Sequence, residues 1–487
     1  MLFSKKRKKI QGDEHIRKLA EIVGDDEILY KKEDLISYDS DGFTVHTHMP
    51  KAVVFPTDTK EVSEIVKYCS THKLPFLARG AGTGLSGGAT PVNEEVIISL
   101  VKMKSLLSVD YENRQAVVQP GFVNLKLTHS ISDKGYYYAP DPSSQYVCTI
   151  GGNVAENAGG AHCLKYGVTT NHILALEVVM PDGEIVNIGG EGIPDMPGYD
   201  LLGLLTGSEG TLGVVTEITV KILKNPERKQ TVLAYFDKVE NGSKAVSDII
   251  SAGIVPAALE MMDQIAIEGV EAGAFPVGHP KDIAALLLIE VDGIAAGLDE
   301  QIDDILDVCQ NNHVTDVKVA EDDEERGRWW ANRKTGFGAM GAISADYLVQ
   351  DGVIPRSRLP EVLDQIASIS REYELRIANI FHAGDGNLHP LILFDSSVPG
   401  ETDKAVKAGS ACLKACADVG GSITGEHGVG IEKREEMKFI FSEEEIEAQT
   451  RVREVFNPHN LLNKGKLFPS PGKCVEIKKE EKKAVQI

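Results

Sequence analysis

Long apolar runs are missing from this sequence of 487 residues. A transmembrane helix needs about 20 consecutive apolar residues, whereas the strongest run, Ile283 to Val291, has the length of a buried strand. The segment from Met1 to Arg17 carries basic side chains with no apolar stretch behind them, and Asp13 and Glu14 argue against a transit peptide. We therefore predict a soluble, cytoplasmic protein with no transmembrane segment.

Positive charge is also scarce. The chain has 51 Lys and Arg against 73 Asp and Glu, which leaves a net charge of −22. A nucleic-acid groove needs clustered cations, so this composition argues against that class of function. The local exception is Ser4 to Lys9, where five basic residues stand together. For that segment a solvated tail and a docking site for a membrane or a partner both stay open.

Cysteines are few and scattered. The seven cysteines are an odd number spread from Cys69 to Cys474, which favours reduced thiols over a disulfide framework. Cys412 and Cys416 lie four positions apart on a predicted helix, and they form either one edge of a metal site or, as we expect, two small buried side chains. No other cysteine is near them in sequence, so we expect no iron–sulfur cluster held by this chain alone.

The length allows two or three hydrophobic cores. Up to about residue 225, short strands alternate with a helix around Val62 to Cys69 and with glycine-rich loops. Beyond it, apolar strands alternate with helical segments such as Leu298 to Asn311, and the strands are expected at 231–236, 257–262, 284–291 and 315–319. This alternation predicts an open antiparallel sheet covered by helices on one face.

The same patterns divide the chain into five segments. We predict a basic N-terminal tail at 1–14, a first domain at 15–225, a second at 226–424, a helical C-terminal segment at 425–468 and a charged tail at 469–487.

A glycine-rich loop at Arg79 to Gly88 follows a short strand. Gly82, Gly84 and Gly87 match G-x-G-x-x-G, the signature of a dinucleotide-binding turn that opens a helix. The following residues contain a proline and no apolar periodicity, so the loop opens no helix of this kind. The loop can nevertheless bind phosphate, because backbone N–H groups of successive glycines can surround phosphate oxygens and Arg79 adds positive charge.

Two further stretches of small residues lie downstream. The first runs from Ala139-Pro-Asp-Pro to the Gly-Gly pairs between Gly151 and Gly160, and the second is Gly207-Ser-Glu-Gly-Thr-Leu-Gly213 before a β-branched strand. Such sequences let the backbone approach a flat ligand closely. Together the three stretches indicate a large, extended ligand that contains a pyrophosphate.

Histidines and a carboxylate form another pattern. His382 and His389 are seven positions apart, a spacing that would send them to opposite faces of one continuous strand. A chain reversal at Gly384-Asp-Gly386 would instead bring them together at adjacent strand ends. Glu426 and His427 follow in a second glycine-bounded loop. Two His and one Glu are a common open set of divalent-metal ligands, with positions left for substrate oxygens.

These motifs jointly resemble one protein family across residues 15 to 468. The glycine loops, Pro140-Asp-Pro142 and Gly207 to Gly213 resemble the FAD domain of the vanillyl-alcohol oxidase type, in the branch of D-lactate dehydrogenases, D-2-hydroxyglutarate dehydrogenases and the D subunit of glycolate oxidase. The resemblance implies an α+β fold with a two-part FAD-binding domain, an α+β substrate (cap) domain carrying a metal-binding hairpin, and a C-terminal helical segment that returns to the flavin.

By this resemblance FAD binds at the glycine loops. Covalent members of the wider superfamily carry a His in a related loop where this chain has Thr83, which implies non-covalent FAD. The implied cofactor-binding residues are Arg79, Gly80, Ala81, Gly82, Thr83, Gly84, Gly87, Gly88, Pro140, Asp141, Ser144, Thr149, Gly151, Gly152, Asn157, Gly159, Gly160, Glu209, Gly210, Gly213, Val214 and Asn463.

The resemblance also implies the chemistry. His382, His389 and Glu426 would hold one divalent metal (zinc, iron or manganese), His427 would be the base, and Arg333 would bind the substrate carboxylate. A 2-hydroxy acid would then lose a proton to His427 and a hydride to flavin N5.

D-2-hydroxyglutarate enzymes of this branch carry further polar and cationic side chains a little beyond this Arg, whereas the corresponding stretch here, Phe337 and then Tyr347 to Gln350, is largely apolar. This favours lactate first and glycolate next over D-2-hydroxyglutarate. A metal-free flavin alcohol oxidase is the other alternative. Electrons would leave to an external protein, with an electron-transfer flavoprotein ranked before an iron–sulfur partner subunit.

Overall fold

The structure is a computed structural model that describes residues 13–190 and 197–470. Most of the predicted basic tail at 1–14 and of the charged tail at 469–487 lies outside these residues, as does Cys474. Within the described ranges, no helix has the length and apolar content needed to cross a bilayer.

Residues up to 225 form two main sheets and a two-stranded ribbon. Their strands are β1 (Ile28–Leu29), β2 (Ala52–Val54), β3 (Phe76–Arg79), β4 (Val96–Ser99), β5 (Leu106–Asp110), β6 (Gln115–Val118), β7 (Tyr136–Tyr137), β8 (Ile173–Val179), β9 (Ile185–Gly189), β10 (Val214–Lys221) and β11 (Leu223–Lys224). The first sheet has the order β1-β2-β4-β3, the second is antiparallel in the order β5-β6-β10-β8-β9, and β7 pairs with β11.

The helices of this region are α1 (Glu14–Val23), α2 (Lys32–Leu35), α3 (Thr59–Thr71), α4 (Asn124–Ile131), α5 (Ile150–Glu156), α6 (Cys163–Tyr166) and α7 (Leu201–Leu205). Helix α3 shows why they form where the sequence indicates. The Asp58 side chain caps it by accepting a hydrogen bond from the Glu61 N–H. Its apolar positions Val62, Ile65, Val66 and Cys69 recur with helical spacing and are fully buried. The predicted helix and its flanking strands are therefore confirmed.

The second region is one large antiparallel sheet with its helices. Its strands are β12 (Arg228–Phe236), β13 (Ala258–Asp263), β14 (Ala285–Gly293), β15 (Asp316–Val319), β16 (Asp346–Val349), β17 (Gly352–Val353), β18 (Ile377–His382), β19 (Asn387–Leu388) and β20 (Pro390–Phe394). They run in the order β15-β12-β14-β13-β18-β19-β17, and β20 joins β18 to β16. The helices are α8 (Val239–Ser251), α9 (Gln264–Ala272), α10 (Leu298–Asn311), α11 (Asp323–Lys334), α12 (Gly336–Ala339), α13 (Leu359–Glu372) and α14 (Glu401–Asp418).

Helices cover both faces of this sheet, which corrects the prediction of a single covered face. Val232, Ala234 and Phe236 of β12 pack on one side with α8, α10, α13 and α14. Leu233 and Tyr235 pack on the other with α9, α11 and α12. Because both sets of alternating side chains are apolar, neither face is suited to water. Cys412 and Cys416 of α14 lie in the first of these cores as small buried side chains.

The C-terminal segment is less helical than predicted. Only α15 (Glu443–Phe456) and a short turn at Glu436–Phe439 are helical. Gly428 and Gly430 have φ angles of 82° and 54°, which break a helix at the start of the segment. Beyond α15 the chain returns to the first sheet, where Phe76 N–H donates to the Leu461 carbonyl and Asn463 N–H donates to the Phe76 carbonyl.

Polar side chains of α6 connect the two regions. The Tyr166 hydroxyl lies 2.8 Å from both carboxylate oxygens of Asp292 at the end of β14, and Lys165 forms an ion pair with the same carboxylate. The Asp292 side chain is almost fully buried, so breaking these contacts would leave an unpaired buried charge. They hold the large sheet against the glycine-rich loops.

Candidate functional site

A cavity of about 380 Å³ lies between the two regions. All three glycine-rich stretches contribute to its wall, together with α11, α12 and the loop that carries Glu426 and His427. Of the predicted cofactor residues, those lining it are Arg79, Gly80, Ala81, Gly82, Thr83, Gly84, Gly88, Ser144, Thr149, Gly151, Gly152, Glu209, Gly210 and Gly213.

Glycine is required at several points of this wall because the chain approaches itself closely. A Cβ at Gly80 would lie 2.4 Å from the Thr149 hydroxyl oxygen. Gly82 has a φ of 72°, and a Cβ there would meet the Arg79 guanidinium at 2.3 Å. That guanidinium folds back along the loop and donates to the Ala89 carbonyl at 3.0 Å. The glycines therefore shape the wall rather than merely making it flexible.

The other predicted cofactor residues stand behind the wall. Three of them are glycines in close contact with other residues: Gly87 packs on Ile431, Gly159 faces Glu426 and Cys163, and Gly160 adjoins Asp141. The other three form hydrogen bonds. The Pro140 carbonyl accepts from the Asn124 side chain, the Asn157 side chain accepts from Thr170 N–H, and the Asn463 amide donates to the carbonyls of Gly88 and Glu209.

Two predicted contacts are replaced by neighbouring residues. Val215 lines the cavity where Val214 was expected, because successive side chains of β10 point to opposite faces and Val214 enters the core. The Asp141 carboxylate is held by His162 at 2.8 Å and by Lys334 at 3.1 Å. Of this group only Lys334 reaches the wall.

The structure brings the three predicted metal ligands together. His382 ends β18, the chain reverses at Gly386 with a φ of 82°, and His389 follows β19. The Nε2 atoms of both histidines lie 3.2 Å from Glu426 Oε1. All three donor atoms are within 4.8 Å of one another.

This donor set fits a divalent metal ion. His389 is fully buried, and its Nε2 atom, although 3.2 Å from Glu426 Oε1, makes no hydrogen bond of suitable geometry among the described residues. A buried ring nitrogen without a partner is costly unless something binds it. Burial favours the neutral form of Glu426, but His382 and His389 outweigh that effect and hold the pKa of Glu426 well below its usual range. Two imidazoles and one carboxylate suit zinc, iron or manganese.

Glu260 and Arg333 lie behind His382. Glu260 Oε1 is 2.8 Å from His382 Nδ1, and Arg333 pairs with the other oxygen of the same carboxylate. Burial would raise the pKa of Glu260, yet Arg333 and His382 together hold it below its usual value. A carboxylate on the far nitrogen fixes the ring so that Nε2 faces the ligand position. The guanidinium of Arg333, expected to bind substrate, is thus already committed to Glu260 and retains an unpartnered Nε.

His427 is placed beside this group and lines the cavity. Its ring stacks on His389 with centroids 4.9 Å apart and an interplanar angle of 8°. Burial lowers the pKa of His427 to about 4 although Asp351 works in the opposite direction. The imidazole is therefore neutral at pH 7, and its Nδ1 has no partner among the described residues. A neutral, buried imidazole on a cavity wall is suited to accept a proton.

Asp351 holds the loop that carries Glu426 and His427. Its Oδ2 accepts hydrogen bonds from the N–H groups of Gly425, Glu426 and His427 at 3.0, 3.1 and 2.8 Å, and from the Thr424 hydroxyl at 2.5 Å. The carboxylate is fully buried. One side chain thus fixes the backbone of both functional residues.

Sequence reasoning did not identify four residues of this site: Glu156, Glu260, Lys334 and Asp351. A signal existed for two of them. Glu260 interrupts the apolar strand Ala258-Leu-Glu-Met-Met262, and Asp351 follows the apolar segment Leu348-Val349. An acid within or just after a buried strand needs a partner, and such partners are frequently functional.

Comparisons with known proteins identify the family. Residues 50–189 match the model described as FAD binding domain, and residues 225–467 match FAD linked oxidases, C-terminal domain. Glycolate oxidase subunit GlcD of Escherichia coli (strain K12) is 47% identical over 93% of this chain and 90% of its own length. D-lactate dehydrogenase of Anaerostipes hadrus is 35% identical over 86% and 89%.

A solved structure supports the same fold. That of p-cresol methylhydroxylase with substrate bound is 19% identical, covers 93% of this chain and 96% of the other, and has a TM-score of 0.78. The predicted resemblance and the predicted flavoprotein fold are both confirmed. The chain belongs to the family of FAD-linked oxidases that includes glycolate oxidase subunit GlcD and D-lactate dehydrogenase, and it is an FAD-binding oxidoreductase.

Proposed function

We propose that this protein oxidises a short 2-hydroxy acid to the 2-oxo acid, using non-covalent FAD and one divalent metal ion. The observation that carries the proposal is that His382 and His389 converge on Glu426, which lines the cavity together with His427. Glycolate ranks before D-lactate as substrate, reversing the order expected from sequence, because the relative named for glycolate is 47% identical and the one named for D-lactate 35%.

Each group would take one part of the reaction. When bound, FAD would supply the hydride acceptor, and a metal ion held by His382, His389 and Glu426 would supply a Lewis acid that makes the substrate hydroxyl more acidic. His427 accepts the hydroxyl proton, and its stacking on His389 keeps the ring in position. Lys334 is the cation on the wall for the substrate carboxylate, and Arg333, which lies behind the wall, would bind the same carboxylate through its unpartnered Nε.

The first domain, 15–225, would then bind flavin, 226–424 would bind substrate, and 425–468 would return to the flavin. A longer diacid such as D-2-hydroxyglutarate is disfavoured because the cavity wall beyond Lys334 is formed by Phe337 and Gly338, which offer no cation for a second carboxylate. We propose that electrons leave to an external protein, an electron-transfer flavoprotein before an iron–sulfur subunit. The designation of the relative GlcD as a subunit supports an obligate protein partner.

Substrate specificity can be tested by flavin reduction. Under anaerobic conditions the purified, yellow protein should lose its visible flavin absorbance when glycolate or D-lactate is added. L-lactate and D-2-hydroxyglutarate serve as comparisons and should act more slowly. Oxidised flavin that persists with every short 2-hydroxy acid would contradict the proposed activity while leaving FAD binding intact.

The flavin site can be tested by closing its wall. Gly80→Val should abolish flavin retention, because the new side chain meets Thr149. The matched control is Gly327→Ala in α11, where a Cβ has open space.

Acid precipitation of the wild-type protein should leave the flavin in the supernatant, since we propose no covalent bond. Flavin that stays with the precipitate would refute the non-covalent assignment.

A further inference from the structure

Glu156, the last residue of α5, stands on the cavity wall with one carboxyl oxygen unused. Its Oε2 atom is buried and has no hydrogen-bond partner among the described residues. Two glycines make room for this carboxyl group. A Cβ at Gly88 would lie 2.4 Å from Glu156 Oε1, and a Cβ at Gly428 would lie 2.3 Å from Oε2. The chain thus encloses a carboxyl group beside the cavity without donating to that oxygen.

A second carboxylate lies beside the first. The same Cβ at Gly428 would be 3.0 Å from Glu209 Oε1, so the two carboxyl groups flank one glycine. Glu209 accepts hydrogen bonds from the N–H groups of Val429 at 2.7 Å and Gly430 at 2.6 Å. These donors stabilise its ionised form.

The two acids therefore differ in protonation. Burial raises the pKa of both acids. For Glu156, Glu209 and Asp41 add to the rise and Lys433 and Lys466 oppose it less strongly, so its pKa lies well above the usual range. For Glu209, the hydrogen bonds from Val429 and Gly430 oppose the rise. Two carboxylates this close and this buried do not both ionise, and the one without hydrogen-bond donors keeps the proton. A buried carboxylic acid that keeps its proton can donate a hydrogen bond at pH 7.

The position of Glu156 indicates what it faces. It adjoins Gly428, the residue after the proposed base His427, so it lies at the reacting end of the cavity. We propose that Glu156 is a protonated acid that donates a hydrogen bond from its carboxyl group to the flavin ring and thereby raises the reduction potential of the bound FAD. This role rests on FAD binding and not on the substrate or the metal.

The test compares two substitutions by chemical reduction, so no substrate is needed. Glu156→Gln keeps a neutral donor, whereas Glu156→Met keeps the length and removes it. Glu94→Gln, at an exposed position, is the control. Flavin affinity and midpoint potential are measured in each. We expect Glu156→Gln and the control to match wild type, and Glu156→Met to favour the oxidised flavin about tenfold, which is a shift of about 30 mV to more negative potential for two electrons.

Opposite results would overturn the proposal. If Glu156 were ionised, Glu156→Gln would remove a negative charge and move the potential upward. If Glu156 did not contact the flavin, Glu156→Met would leave the potential unchanged. Infrared difference spectra between oxidised and reduced protein decide the matter even if the Met variant fails to retain FAD. A carboxylic-acid C=O band that is present in wild type and lost in Glu156→Gln supports the assignment, and its absence from wild type refutes it.

Discussion

Replacing His389 by Ala is expected to lower kcat/KM for glycolate by about a thousandfold, since a Lewis acid contributes several kcal/mol to the reaction and each 1.4 kcal/mol is about tenfold. His389 offers its unpartnered Nε2 to the same point as His382 and Glu426. Its loss leaves two ligands, which do not retain a metal. Bound metal, measured by elemental analysis, should fall together with activity while FAD stays bound.

The control for this substitution is His129→Ala, because His129 is exposed on α4. It should keep both metal and activity. Treating the wild-type protein with a chelator should reproduce the loss, and adding back zinc, manganese or ferrous iron should reverse it and identify the metal. Full turnover after chelation and in His389→Ala would instead favour the metal-free alcohol oxidase.

Asp351→Ala should destabilise the protein by about 3–5 kcal/mol and abolish activity. The substitution removes a fully buried carboxylate and leaves three backbone N–H groups and the Thr424 hydroxyl without an acceptor. The loop with Glu426 and His427 loses its anchor, so metal affinity should fall even where folding survives. Chemical denaturation and metal analysis measure the two effects.

The pH dependence of stability provides a second measurement for Asp351. Burial would raise its pKa, but His427, Lys433 and His389 lower it to about 2. A folded-state pKa below the unfolded value of about 3.9 means that the stabilisation is complete above that value and is lost as the pH falls toward 2. The wild-type advantage over Asp351→Ala should therefore shrink in acid. An Ala variant as stable as wild type at pH 7 would disprove the anchoring role.

Local patterns predicted the elements well. The helical spacing of apolar residues from Val62 to Cys69 was sufficient to predict a helix, and the apolar run from Ile283 to Val291 was sufficient to predict a strand. Both predictions succeed because the spacing of apolar residues within one element reflects that element's own geometry. The run from Ile283 to Val291 also indicates more than a strand, because a strand without alternating polar residues is buried on both faces. Two helical layers were therefore implied for the large sheet, whereas one was predicted.

Contacts between site residues could be predicted where the residues flank one turn. Contacts between residues far apart in sequence could not. His382 and His389 flank one reversal, so their approach follows from chain geometry. Glu260 meets His382 across 122 positions of sequence, and Asp351 meets Glu426 across 75. No local spacing encodes such contacts. Val214 shows that the sequence did not predict which of two successive residues on β10 reaches the cavity. A shift of one residue along the strand exchanges a core side chain for one at the cavity.

The return of the chain to β3 has a consequence for biosynthesis. Phe76 is bonded to Leu461 and Asn463, and the Lys466 ammonium donates to the Gly88 carbonyl at the cavity wall. These contacts join the first glycine loop to residues made up to 378 positions later. Translation proceeds from the N-terminus, and early segments begin to fold before later ones exist. The pocket is therefore incomplete on a nascent chain until Lys466 has been made, and stable capture of the cofactor must wait for that stage of synthesis.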